Sequence, residues 1–266
     1  VALLGCYMHS SMHASLDKLR ATSSPSFSKS TLRVRQRRLL SSELAASRCC
    51  AQNRTVQQNG NVLRLESEPF NLSRSEILTK TEISFAYVGL SQANAAQLAI
   101  ACGCGALLNC RELNLSDNFL SDTGVEAISI AIGAGALPQL LSLLLAGNSI
   151  GDEGMGFLAK ALALGGVREL RNLSLARNSI GDTGVYVLAS SCSQAGIGCR
   201  QLLQLHLGHN AIGDDGVAAL AEAGLDHGAL PKLERLWISY NCYGHDDERN
   251  NVGEDGPSVL AACLAE

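Results

Sequence analysis

The sequence predicts an α/β solenoid, with parallel strands along one side and helices along the other, preceded by a segment without regular structure. Three observations carry this. One block recurs as LLSLLLAGNSIGDEGMGFLA (140–159), LRNLSLARNSIGDTGVYVLA (170–189) and LLQLHLGHNAIGDDGVAALA (202–221), and a fixed period near thirty residues marks a stacked repeat array. Within each block, apolar residues first alternate and then take up helical spacing. Charge divides the chain as well: residues 1–60 hold nine Lys/Arg against two acids, residues 61–266 twelve against twenty-three.

Residues 1–60 have no sustained period. TSSPSFSKS (22–30) offers too little apolar surface to offset the entropy of ordering and reads as disorder. TLRVRQRRLLSSELAASR (31–48) reads as a basic amphipathic helix. Two readings of this head stay open: a transit peptide, which is Arg-rich, Ser-rich and poor in acids, or an unfolded linker. The chain begins with Val, which reads as a piece of a longer protein. Residues 61–80 pair Leu63 and Leu65 with a helix over Ser73–Lys80 and are read as a cap, because a terminal unit needs a polar outer face.

The array of about six repeats occupies residues 81–266 and phases on one position: Val88, Asn118, Asn148, Asn178, Asn210 and Asn241. Three and five residues earlier stand Phe85/Ile83, Leu115/Leu113, Leu145/Leu143, Leu175/Leu173, Leu207/Leu205 and Ile238/Leu236. Alternation this short is a strand with one buried face. After Gly124, Gly154, Gly184 and Gly216 the apolar residues fall at offsets of one, four, five and eight, as in Val185, Leu188, Ala189 and Cys192; that is one face of a helix. Asp122, Asp152, Asp182 and Asp214 precede these glycines by two, where a carboxylate accepts the free N–H groups of the first turn of its own helix. Gly135, Gly165 and Gly228 stand where the chain turns back. Strands pack about 4.8 Å apart and helices about 8–10 Å, so the stack bends toward its strands into a horseshoe with a concave strand face.

LxxLxLxxN followed by IGDxG and LA resembles the leucine-rich repeat, and the long unit with a full helix is similar to the ribonuclease-inhibitor-like subtype, found also in NOD-like receptors and Ran GTPase-activating proteins. The resemblance covers about residues 81–266. It implies a non-catalytic module that binds a protein, since this scaffold serves inhibitors, immune sensors and GTPase regulators alike. It also implies that Asn118, Asn148, Asn178, Asn210 and Asn241 bond to backbone in the turns and are structural. Two departures stand out: Val88 replaces the first Asn, and the last unit carries nine extra residues, Tyr243 to Asn251.

Function is then expected in strand residues that point away from the core. Four before the Asn position stand Ser84, Asn114, Leu144, Ser174, His206 and Trp237; six before it, Glu82, Glu112, Ser142, Asn172, Gln204 and Arg235. Immediately before it stand Tyr87, Asp117, Gly147, Arg177, His209 and Tyr240. Trp, Tyr and Arg dominate binding hot spots, so the expected partner-binding set is Arg177, Gln204, His206, His209, Arg235, Trp237 and Tyr240. For Trp237 the bland alternative is an aromatic resting on its strand neighbours.

Other classes find little support. The acidic body lacks the basic footprint of a nucleic-acid binder, and suits a basic protein partner. No CxxC pair occurs and Cys102-x-Cys104 lacks a second ligand pair, so zinc is not expected. His206, His209 and His245 have no regular ligand spacing. No phosphate loop, nucleophile elbow or Cys/His pairing appears, so neither enzyme activity nor a cofactor is expected. Cys110 and Cys192 read as small buried hydrophobes, which favours a reducing, cytoplasmic setting, with organelle targeting by the head left open. No apolar run reaches a membrane span. A monomer is expected. Two further readings remain: an enzyme inhibitor of ribonuclease-inhibitor type, and a small-GTPase regulator with Arg249 as its one candidate rim residue.

Overall fold

The structure is a computed structural model that describes residue 65 and residues 68–195, 199–222 and 230–238. The basic head, the inserted loop at 243–251, Arg249, Tyr240, Asn241 and Gly228 lie outside the described residues. A short helix α1 (Arg74–Thr79) comes first. Ser73 caps it in a reciprocal box with Glu76, which satisfies two otherwise orphaned N–H groups. Hydrogen bonds from Lys80 and Ser73 hold the Glu76 carboxyl down to about 2.

Among the described residues, five strand–helix units and a sixth strand follow in strict alternation: β1 (Glu82–Ser84), α2 (Gln92–Gly103), β2 (Glu112–Asn114), α3 (Ser121–Gly133), β3 (Ser142–Leu144), α4 (Asp152–Ala163), β4 (Asn172–Ser174), α5 (Asp182–Ala195), β5 (Gln204–His206), α6 (Asp214–Ala219) and β6 (Arg235–Trp237). All six strands form one parallel sheet in chain order. Each pairs with the next without a slip, so that Ile83, Leu113, Leu143, Leu173, Leu205 and Leu236 make one row. Five of these six are fully buried, and Leu236 at the far edge is partly so. Helices stack on their sequence neighbours in the same order. The horseshoe solenoid expected from the repeat is thus the observed architecture, with strands on the concave side.

The helix offsets hold. Val125, Ile128 and Ile132 in α3, Met155, Leu158, Ala159 and Leu162 in α4, and Val185, Leu188 and Ala189 in α5 are all buried. At about 1.5–3 kcal/mol for each fully buried large apolar side chain, this core is the main source of stability. One position breaks the pattern. Ser129 occupies the site of Ala159, Ala189 and Ala221, is buried, and leaves its hydroxyl without a partner.

The asparagines lace the turns together. Asn178 donates from Nδ2 to the carbonyls of Leu145, Leu175 and Ala176 and accepts at Oδ1 from the N–H groups of Asn148 and Ile150. Asn118, Asn148 and Asn210 repeat the contact with their own neighbours. Each amide therefore serves its own turn and the one before. Asn118 covers the first turn, bonding to Phe85 and Leu90, so Val88 there loses nothing and stays exposed.

The aspartates correct the sequence reading. Asp122, Asp152 and Asp182 do not cap their own helices but reach forward one repeat. Asp122 accepts from the N–H of Gly151 at 2.7 Å, Asp152 from Gly181 and Gly184 at 2.7 and 3.0 Å, and Asp182 from Gly213 and Gly216 at the same distances. The carboxylate satisfies orphan donors at the start of the next helix, a link of about thirty residues that local capping rules do not contain. Glycine is required at the recipient: a Cβ on Gly154, Gly184 or Gly216 would overlap the incoming carboxylate and the preceding Ile side chain. Helix α2 has no such donor repeat before it and uses its own Ser91–Asn94 box.

Two further points refine the sequence reading. Gly135 and Gly165 turn the chain back at positive φ, as expected, but Gly166 matters equally, since a Cβ there would collide with the Ile132 carbonyl. Cys192 is buried yet is not a free thiol: it is disulfide-bonded to Cys199, and the seven-residue spacing carries no motif that would announce it. Cys110 is buried as expected and is free, and Cys102 is also buried and free; burial pushes both thiols up to about 12.

Candidate functional site

Strand alternation turns two residues of every three-residue strand away from the core, and the unslipped register lines them up. One row runs Glu82, Glu112, Ser142, Asn172, Gln204, Arg235; the other runs Ser84, Asn114, Leu144, Ser174, His206, Trp237. The two ends of the first row, Glu82 and Arg235, are exposed, while Ser142 in its middle is buried. Asn172 donates to the Ser142 hydroxyl at 3.2 Å, and its own Oδ1 is buried without a partner.

An aromatic stack on this face lies at β5 and β6. The His206 and Trp237 rings stack with centroids 3.8 Å apart and planes at 15°. Both are half-buried. Burial holds the His206 imidazole below its ordinary range, so near neutral pH it is an uncharged flat ring. Two residues earlier on the same strands, hence on the same face, stand Gln204 and Arg235, which are registered partners. The four side chains form a square: an aromatic platform along one side, an amide and an exposed guanidinium along the other. Trp237 faces outward and rests on its strand neighbour, as the bland alternative expects.

At the exit of the strands Tyr87, Asp117, Gly147, Arg177 and His209 all take positive φ, between 54° and 65°. The sequence shows this column as strand ends and does not show its left-handed backbone, because four of the five are not glycine. Its side chains interact across repeats. Tyr87 donates its hydroxyl to Asp117, which raises the phenol above its ordinary value. Arg177 reaches the same carboxylate from two repeats away at 3.9 Å, and its side chain is 66% exposed. The carboxylate lies over Gly147, where a Cβ would overlap it. Arg177 therefore has a partner within the chain that its sequence position does not reveal. The pair is long and solvated, worth about 1 kcal/mol at most, so the guanidinium remains available. His209 sits on this rim, partly buried. Of the expected set, the structure brings Gln204, His206, Arg235 and Trp237 together, and places Arg177 and His209 on the adjoining edge.

Among the described residues no group of three or more His, Cys, Asp or Glu side chains could hold a metal ion, and no helix is long and apolar enough to cross a membrane.

The family model described as "Leucine Rich repeat" matches residues 111–129, 137–159, 169–189 and 198–221. These segments coincide with the second to fifth strand–helix units. These four segments of the chain are leucine-rich repeats, and repeats of this kind suggest a protein–protein interaction module. Among solved structures it is similar to an internalin from Listeria monocytogenes, at 15% identity and a TM-score of 0.30, over 62% of this chain and 48% of that one. The chain thus spans about half the length of that internalin. No curated protein matches the sequence.

Proposed function

We propose that the protein is a non-catalytic interaction module that holds a protein partner on the concave strand face, chiefly over its last repeats. The observation that carries this is the His206–Trp237 platform beside Arg235. A Trp and an Arg are placed outward, where the core does not require them, and such side chains supply most of the energy of typical interfaces. The row that faces inward is Leu or Ile throughout, so the core itself does not call for a Trp or an Arg on the outer face.

Helices of 12 to 14 residues in the second to fifth helical elements support the ribonuclease-inhibitor-like subtype rather than shorter repeat classes. The test is capture of partners by the intact chain and by a Trp237→Ala/Arg235→Ala double variant. A partner held by the first and lost by the second supports the reading. A partner held equally by both places the interface elsewhere.

A further inference from the structure

We infer that the strand face is charge-polar and takes a polypeptide segment whose own charges run the opposite way, acidic over β5–β6 and basic over β1–β2. This rests on the strand face being the binding surface and adds which way the partner lies on it.

The outer rows change character from one end of the sheet to the other. Glu82 and Glu112 pair in register at the first end, and Arg235 stands alone in the same row at the last. Between them that row is uncharged: Ser142, Asn172 and Gln204. Arg111 and Glu234, one residue before β2 and β6, carry the opposite signs, but strand alternation turns them off this face. His206 adds no charge near neutral pH, since burial disfavours its protonated form. It keeps the last two strands a flat apolar platform with the Arg235 guanidinium beside it, which suits a carboxylate flanked by an apolar group.

The dimensions favour a segment rather than a point contact. Five steps of about 4.8 Å between strands separate Glu82 from Arg235, roughly 24 Å, which an extended chain covers in about seven residues. The middle of the face carries small or low side chains, with Ser142 buried and Leu144 half-buried, so a backbone can pass over it between the longer charged ends. The overall acidity of the repeats alone would predict any basic partner. The row order predicts opposed ends.

The probe is a Trp-free synthetic peptide of about ten residues, long enough to span the face, with glutamates at one end, lysines at the other and apolar residues between. Its control has the same composition with the charges alternating. Trp237 is the sole tryptophan, so its emission reports binding. At low ionic strength, where the Debye length is about 30 Å, the block peptide should bind about tenfold more tightly than the alternating one, because only it meets both ends. Arg235→Glu should abolish that preference, and adding Glu82→Lys and Glu112→Lys should restore it, since the peptide then lies the other way round. Equal binding of the two peptides, no binding of either, or failure of the triple reversal to restore the preference would overturn the inference. A partner that still depends on Trp237 alongside equal peptide binding would leave the surface assigned and refute only its polarity.

Discussion

The turn interior and the outer strand face are built from the same repeats yet obey opposite rules. In the turns, Asn118, Asn148, Asn178 and Asn210 stand at equivalent places and bond to the equivalent carbonyls of the preceding repeat. On the face, no row keeps one residue type from β1 to β6. The difference teaches where each constraint comes from. A buried backbone group must be paired, and the pairing geometry recurs every repeat, so the residue recurs too. A solvated position has no such demand, and its residue is free to follow a partner.

Substitutions can break this contrast. The largest effect belongs to Asn178→Ala, which strands the carbonyls and N–H groups of two turns; at about 1–3 kcal/mol for each unsatisfied group, a loss of about 3 kcal/mol or more is expected in denaturant unfolding. A change under 1 kcal/mol would mean that water replaces the amide at no cost. Next comes the forward carboxylate link. Asp152→Ala removes two charge-assisted bonds and should cost about 2 kcal/mol, while Asp152→Asn, which keeps the acceptor oxygen, should cost about half of that. Gly184→Ala gives the same link a sign test. In an ordinary helix that change stabilises by about 1 kcal/mol, but here the new methyl displaces Asp152 and Ile180, so stability should fall.

Smaller and opposite in sign is Ser129→Ala. It removes a buried hydroxyl that has no partner and restores the alanine of the equivalent sites; thermal unfolding should rise by the equivalent of about 1 kcal/mol. The smallest stability effect belongs to the face. Arg235→Ala should shift the unfolding midpoint by less than about 0.5 kcal/mol while weakening partner capture, and a stability loss comparable to Asn178→Ala would erase the distinction between the two regions.

Much of the fold was legible in the sequence because each repeat states its period twice, once in the strand and once in the helix. The buried row and both outward rows fell at the expected residues. What lay beyond reach was contact between repeats. Asp152 stands where a helix cap belongs, and only the stacked geometry shows that it serves Gly181 and Gly184 instead. Arg177 and Asp117 are sixty positions apart and meet because Gly147 between them has no side chain. The His206–Trp237 stack is of the same kind: both residues were legible as outward-facing, but their joining into one platform depends on the register of β5 against β6. The Cys192–Cys199 bond had no pattern to announce it.

Emission from Trp237 tests the central claim most directly. In the free protein the ring is half-buried on the strand face against His206, so its emission should lie toward the red and be quenched by a soluble collisional quencher. A partner bound to this face should shift the emission to the blue and shield it, and Arg235→Ala should weaken that response. Emission that is blue and protected in the free protein, or unchanged when a captured partner is saturating, would contradict the placing of the binding surface at β5–β6.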